Sequence, residues 1–340
     1  MSSPPSRPKT IVDLARLAGV SAGTVSRALA GKSVVNRETM ARIRALAAEH
    51  DFRLNQMASR LRTRRTSVIG VVVPLGHERR QHLSDPFFTT MIGHLADALT
   101  ENGYDLMLSR VIPEAPDWLD RIVDSGMLDG VLLLGQSDQT AVLDRVAARY
   151  RPLIAWGSQA PGQVHCAVGT DNFRGGMLAG EHLLAAGARR LAFLGEVRAP
   201  ELRLRYEGLS AAAARAGAAP PLLLETALAA DLMGAEIAAH LDQYGGAIDG
   251  VSAASDMIAM MTLRQLADRG IAVPDQVKVI GFDDLPIAEQ TVPRLSTIRQ
   301  EFAEGARAMV DRLFAAMADG SAPSSLQLPP RLVVRDSTGG

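Results

Sequence analysis

"TIVDLARLAGVSAGTVSRALAG", residues 10–31, is the stretch whose reading decides the fold of the first part of the chain. Thr10 stands before a run of helical spacing, with Asp13 three residues on, the arrangement of a capping box. Ile11, Leu14 and Leu17 recur at helical intervals. "AGV" (18–20) breaks that run. Gly19 permits a left-handed turn, and Val20 returns toward a core. Ser21 caps a second run in which Val25 and Leu29 face inward. Helix, short glycine turn and helix make a helix-turn-helix. Asn36 then caps a third helix over roughly 37–49, and its Met40, Ile43 and Leu46 close a three-helix core.

The outward residues of the second helix are small, polar or cationic: Ala22, Gly23, Thr24, Ser26 and Arg27. Small side chains let a backbone approach the floor of a DNA major groove, and an arginine can bond guanine O6 and N7 in bidentate fashion. Ser21, Thr24 and Ser26 can bond phosphate oxygens beside the positive end of the helix. Charge points the same way. Residues 1–65 hold 13 Lys and Arg against 4 Asp and Glu, a balance of +9, and the remainder carries −10, so the whole chain sums to −1. A basic head on an acidic body suits a polyanionic partner.

"TIVDLARLAGVSAGTVSRALAG…NRETMARIRALAAEHDFRLNQMASRLRTRRTSVIGVVVP" resembles the head of the lactose-repressor (LacI/GalR) family of bacterial transcription regulators, continuously from Thr10 to Pro74. The resemblance implies base-reading positions at Ala22, Gly23 and Arg27. It implies phosphate contacts at Thr10, Ser21, Thr24 and Ser26. Ala30 stands where the family often has Asn, and Leu54 where it usually has Pro. "NQMASRLRTRR" (55–65) matches the hinge, a short helix capped by Asn55. In the family, hinge helices of two subunits pair in the minor groove, and the residue matching Leu61 wedges into a base step and kinks the DNA. So short a helix is unstable alone, so the hinge is expected to order on DNA. "GKS" (31–33) is not a phosphate-binding loop, because Ser26 occupies the place of the required glycine and no strand precedes it.

From Thr66 onward, strand and helix patterns alternate in two series, the signature of parallel sheets with crossover helices. The expected fold is therefore a helix-turn-helix head plus an α/β body of two doubly wound parallel-sheet lobes. By resemblance, that body has the periplasmic-binding-protein type I fold from Ser67 to about Val334. The expected domains are 1–53 for the head, 54–65 for the hinge and 66–340 for an effector-binding and dimerisation body. Lobe 1 is expected at 66–163 and 292–322, and lobe 2 at 164–291 and 323–340, with crossings near 161–165, 290–295 and 321–326.

Ligands of such sheets bind at the carboxyl ends of strands. Strand ends nominate Phe87, Trp156, Asp171 with Asn172, Arg205, Asp256 and Asp283 as effector contacts. Carboxylates and an arginine suit sugar hydroxyls, and aromatic faces suit sugar C–H faces. The resemblance adds that family members place an Arg and an Asp on the effector at the positions of Arg205 and Asp283. Phe87 and Trp156 suit a hydrophobic core equally well, and Asp256 suits a helix cap. Arg203 reads as a surface salt-bridge residue, and His77 and His82 as parts of a solvated loop.

A sugar-responsive dimeric repressor of sugar-utilisation genes is the favoured function, with a palindromic operator and a small sugar such as a glucoside as partners. A nucleobase-responsive repressor needing a corepressor and a sugar-binding transport protein are the alternatives. An enzyme lacks support, since no G-x-G-x-x-G after a strand, no G-x-S-x-G elbow and no metal-spaced His/Cys cluster occurs. No cofactor or metal is expected. One cysteine, Cys166, and no apolar leader or membrane-length run imply the cytoplasm. The sequence shows no heptad tail after "SLQLPPRLVVRDSTGG", so a homodimer is expected.

Overall fold

The computed structural model describes Pro8 and residues 10–29, 34–52 and 65–340. These divide into two compact units, residues 1–66 and 67–340. The hinge calls at Asn55 and Leu61, and both departures from the family pattern, lie outside the described residues.

The first unit contains α1 (Ile11–Ala18), α2 (Ala22–Leu29) and α3 (Arg37–Glu49). Its α1 opens on the expected capping box. The Asp13 amide donates to Thr10 Oγ1 at 3.2 Å, and the Thr10 amide donates to Asp13 Oδ2 at 3.0 Å. Gly19 ends α1 in the left-handed region, at φ 63°. The Thr24 amide donates to Ser21 Oγ at 3.1 Å, and the Glu38 amide to Asn36 Oδ1 at 3.0 Å. Leu14, Val25, Ala28 and Ile43 are buried at the centre, with Ile11, Val20, Leu29, Met40 and Leu46 packed around them. Leu17 is a correction: it is 47% exposed. With Leu14 and Ala18 already filling the buried stripe of an eight-residue helix, Leu17 falls on its outer side.

The second unit holds two six-stranded sheets. The first contains β1 (Val68–Pro74), β2 (Asp105–Val111), β3 (Gly130–Leu134), β4 (Leu153–Trp156), β5 (Cys166–Thr170) and β11 (Leu326–Leu328), in the order β11-β5-β4-β3-β1-β2. All its pairings are parallel. Successive side chains of β1 serve opposite faces, as strand geometry requires. Ile69, Val71 and Val73 pack with α4 (Pro86–Glu101) and α11 (Phe302–Asp319). Val72 packs on the other face with α5 (Trp118–Val123) and α6 (Thr140–Ala147). Burial on both faces explains the continuous apolar run of β1.

The second sheet contains β6 (Leu191–Leu194), β7 (Leu222–Leu224), β8 (Gly250–Ala253), β9 (Lys278–Asp283), β10 (Ser296–Arg299) and β12 (Arg331–Val333), in the order β12-β10-β9-β8-β6-β7. Only β12 runs antiparallel to its neighbour. Its helices are α7 (Asn172–Ala185), α8 (Pro200–Arg215), α9 (Ala230–Tyr244) and α10 (Asp256–Asp268). The chain therefore leaves lobe 1 after Thr170, returns after Arg299, and crosses once more at Pro329–Pro330. Each crossing lies several residues beyond its expected place. Alternation announces a strand but not the sheet it joins. β5 pairs with β4 in lobe 1, β10 with β9 in lobe 2, and β11 with β5 in lobe 1.

Two glycines control how α7 meets α8. A Cβ at Gly176 would collide with the carbonyl of Arg205, and one at Gly208 with the carbonyl of Phe173. Without side chains there, the two backbones touch, and Arg205 is brought against the first turn of α7.

Candidate functional site

The head and the body each carry a candidate site. In the head, α2 buries Val25 and Ala28 and leaves Gly23 and Arg27 exposed, one helical turn apart. Ser21 is also exposed, while Ala22, Thr24 and Ser26 are partly exposed. Gly23 offers open space: an added Cβ would find only Arg27 Nη2 and Ser21 Oγ, both at 3.8 Å. The hydroxyl of Ser21 already caps the helix and lies 2.9 Å from Thr24 Oγ1. That of Thr10 is held by Asp13 at 2.8 Å. These hydroxyls first fix the helix ends that present Gly23 and Arg27.

The body's cavity opens where the carboxyl ends of β1, β3, β4 and β5 face α8 and the end of β9. It encloses about 770 Å³ of atom-free space, its mouth included. The chain leaves β1 for β2 on one side and β3 on the other, so the cavity sits at the switch point of the sheet.

Phe87, Trp156, Arg205 and Asp283 line it as expected. Asp85 accepts from the Phe87 amide at 2.9 Å and starts α4, which carries Phe87 and Phe88 into the wall. Phe87 and Phe302 meet edge to face at 5.7 Å, and Trp156 lies 6.0 Å from the same ring. The two alternatives for Phe87 and Trp156 thus coexist, since each packs in the core of lobe 1 and presents surface to the cavity.

Arg205 is only 7% exposed. Its Nε donates to Asn172 Oδ1 at 2.8 Å, its Nη1 donates to the carbonyl of Ala254, and its guanidinium carbon stands 3.6 Å above the Phe282 ring. Asp283 Oδ1 lies 3.9 Å from Arg205 Nη1 and accepts from Gln300 Nε2 at 2.6 Å. Burial pushes the Asp283 carboxyl up to about 7, against the downward pull of Arg205. Its φ of 122° lies in a region that side chains rarely adopt, and Asp284 follows at φ 56°. Strain of this kind persists where surrounding bonds overdetermine it. Here Asp284 is clamped by Arg299 at 2.6 Å and Arg335 at 2.7 Å.

Asp171 and Asp256 do not line the cavity. Asp171 caps α7 through the Arg174 amide at 2.9 Å. Asp256 is 0% exposed and is not the cap of α10, since Ser255 is. It accepts from Thr297 Oγ1 at 2.6 Å and from the Leu285 amide at 2.8 Å, behind the wall. Burial, with the charge of Asp283, lifts its carboxyl well above the ordinary range. In each case a neighbour lines the cavity instead: Thr170 and Asn172 beside Asp171, and Ser255 beside Asp256.

Sequence reading missed His77, Gln81 and Glu201. His77 is not in a solvated loop. Its Nδ1 lies 2.7 Å from Ser137 Oγ, and its Nε2 lies 3.7 Å from Glu196 across the cleft. Glu201 stands one helical turn before Arg205, an i,i+4 spacing that could have found it. Its Oε1 accepts from the Ser158 amide at 3.3 Å, joining α8 to the end of β4. Burial raises the carboxyls of Glu201 and Asp85. A buried chain supports Ser158 from behind. Asp144 meets His165 Nδ1 at 2.6 Å, His165 Nε2 meets Gln136 Nε2 at 2.8 Å, and Gln136 Oε1 accepts from the Ser158 amide at 3.2 Å. Burial lowers the His165 pKa, consistent with a neutral ring that accepts from Gln136. Arg203 pairs with Glu207 at the surface, as expected.

No group of His, Cys, Asp and Glu among the described residues is arranged to hold a metal ion. No described helix is long and apolar enough to cross a membrane.

Residues 10–55 match the family described as "Bacterial regulatory proteins, lacI family", and residues 181–338 match a periplasmic binding protein-like domain. The HTH-type transcriptional regulator GntR of Pseudomonas aeruginosa is 30% identical over 334 residues, which cover 97% of this chain and 95% of that protein. The structure of the lac repressor dimer bound to operator and the anti-inducer ONPF superposes with a TM-score of 0.84 at 24% identity, covering 97% of this chain and 99% of that one. This likeness establishes the fold. A complex of the transcriptional regulator CelR with cellobiose gives a TM-score of 0.70 at 28% identity, covering 97% and 100%. The chain belongs to the lacI family of bacterial regulatory proteins, and is a DNA-binding transcriptional regulator rather than an enzyme.

Proposed function

We propose that the protein is a homodimeric, cytoplasmic repressor of sugar-utilisation genes, released from a palindromic operator by a small sugar bound between the lobes. One observation carries the sugar reading: the cavity sets aromatic rings against an arginine and carboxylates. A pyranose has the same two-sided chemistry, with C–H faces and a rim of hydroxyls. Related proteins support it, since CelR was solved with cellobiose and an Enterococcus faecium family member with ribose. On the DNA side, Arg27 reads a base edge, Ala22 and Gly23 allow close approach, and Thr10, Ser21, Thr24 and Ser26 engage phosphates. Asn55 and Leu61 serve in a hinge that wedges the centre of the operator. The effector shifts the balance between two lobe arrangements, and that shift lowers operator affinity.

The test is fluorescence anisotropy of the purified protein on its own upstream promoter DNA, with neutral mono- and disaccharides added singly. Salt-sensitive binding that one saccharide releases is the expected result. Tight binding that no saccharide disturbs, but a purine base strengthens, would replace the sugar reading with a corepressor.

A further inference from the structure

We infer that the cavity selects a saccharide without an acid group, and that Glu201 enforces this by rejecting sugar acids and sugar phosphates. The inference rests on the sugar reading above and narrows it to a chemical class.

Charge around the cavity is unequal. Three carboxylates line it: Asp85, Glu201 and Asp283. Arg205 is its one lining guanidinium among the described residues, and it is largely committed to Asn172, Ala254 and Asp283. His77 is turned toward Ser137 and Glu196. A ligand that brought its own carboxylate or phosphate would thus meet three carboxylates against one guanidinium that is already engaged. Like charges a few ångströms apart in a poorly solvated space are strongly disfavoured. A ligand rich in hydroxyls would instead supply the donors that carboxylates accept.

A second observation, independent of the acids, shows that the wall is built for a polar ligand. Thr170 lines the cavity and is 2% exposed, yet its buried hydroxyl meets no partner in the structure. A buried hydroxyl without a partner is costly, and a ligand hydroxyl would satisfy it.

Glu201 is placed to set this preference. Asp283 is offset by Arg205, and both oxygens of Asp85 are occupied, one by the Phe87 amide and one by Gln81. Glu201 is held only by its own backbone amide and by the long bond from the Ser158 amide at Oε1.

The experiment is calorimetry of the full-length protein with whichever neutral sugar releases the operator. The same titration is run with that sugar's carboxylate and phosphate derivatives, in wild type and Glu201→Gln. Glutamine keeps an acceptor for the Ser158 amide and removes the charge. The acids are expected to bind at least 100-fold more weakly than the neutral parent. Glu201→Gln is expected to narrow that gap at least tenfold. A merely structural role for Glu201 would weaken parent and acids alike and leave the gap unchanged, overturning the assignment. Acids that bind wild type as tightly as the parent would overturn the charge selection while leaving the sugar reading intact. Failure of every saccharide, neutral or acidic, would overturn both.

Discussion

The two lobes divide the aromatic rings and the guanidinium of the cavity between them. Lobe 1 supplies the aromatic rings, Phe87, Phe88 and Trp156, and one carboxylate, Asp85, from the start of α4 and the end of β4. Lobe 2 supplies the guanidinium of Arg205 and the carboxylates of Glu201 and Asp283, from α8 and the end of β9. The difference teaches that, on the proposed sugar reading, neither lobe alone makes a complete site. A ring could stack on lobe 1 without being identified, and hydroxyls could bond lobe 2 without a platform. On that reading recognition requires the lobes together, and binding is coupled to their arrangement.

The comparison can be broken first at Arg205. Arg205→Ala should lower effector affinity at least 100-fold and destabilise the body by about 3 kcal/mol, because Asp283 is left buried without its partner. Calorimetry and a denaturant melt read the two effects, while operator binding by the folded variant should persist. Undiminished effector binding would remove the polar wall from the site. On the other wall, Phe87→Ala should weaken the effector roughly tenfold, the scale of one lost aromatic contact. A loss confined to stability, with affinity unchanged, would make Phe87 core alone.

Asp283 offers a sharper probe through pH. Its carboxyl is raised from 3.8 to about 7, so the folded protein holds a proton that the unfolded chain has released between those values. The associated stability is full below 3.8 and is lost as pH rises through about 7. His165 and His182, both lowered by burial, act in the opposite sense as pH falls through 6.5. The readout is therefore the difference between wild-type and Asp283→Asn melting curves. It should move steadily in favour of the asparagine variant from about pH 5 to about pH 7.5, and a flat difference would show that Asp283 is ionised throughout. The smallest effect is expected at the cleft mouth, where Arg80 of lobe 1 pairs with Asp231 of lobe 2 at 2.5 Å, both well exposed. Exposed pairs contribute about 0.2–1 kcal/mol, so Arg80→Ala should change effector affinity by no more than about fivefold.

Much of this was legible in the chain. The capping box at Thr10, the glycine turn and the continuous apolar run of β1 each express a local rule that packing does not override. Arg205 and Asp283 were legible because strand ends and helix starts of doubly wound sheets face a common cleft. The failures at Asp171 and Asp256 have one cause. Both sit where a strand hands over to a helix, and direction changes there from residue to residue. A displacement of one position exchanges a cavity contact for a cap or a buried anchor. His77 and Gln81 lie in a loop without periodicity, so no spacing could announce them. The crossings were misplaced because partner choice among strands is a non-local property.

The contact between α7 and α8 at Gly176 and Gly208 makes those helices a single beam. Arg205 rides on that beam beside Asn172, so the guanidinium cannot follow a ligand by sliding its helix. A ligand that pulls on Arg205 pulls on the whole of lobe 2. The strain then has to emerge at Asp171, at Gln300 and at the proline pair 329–330, the three places where the chain passes between the sheets. The stiffness of one helix pair thereby converts a side-chain contact into torque on three strands of backbone.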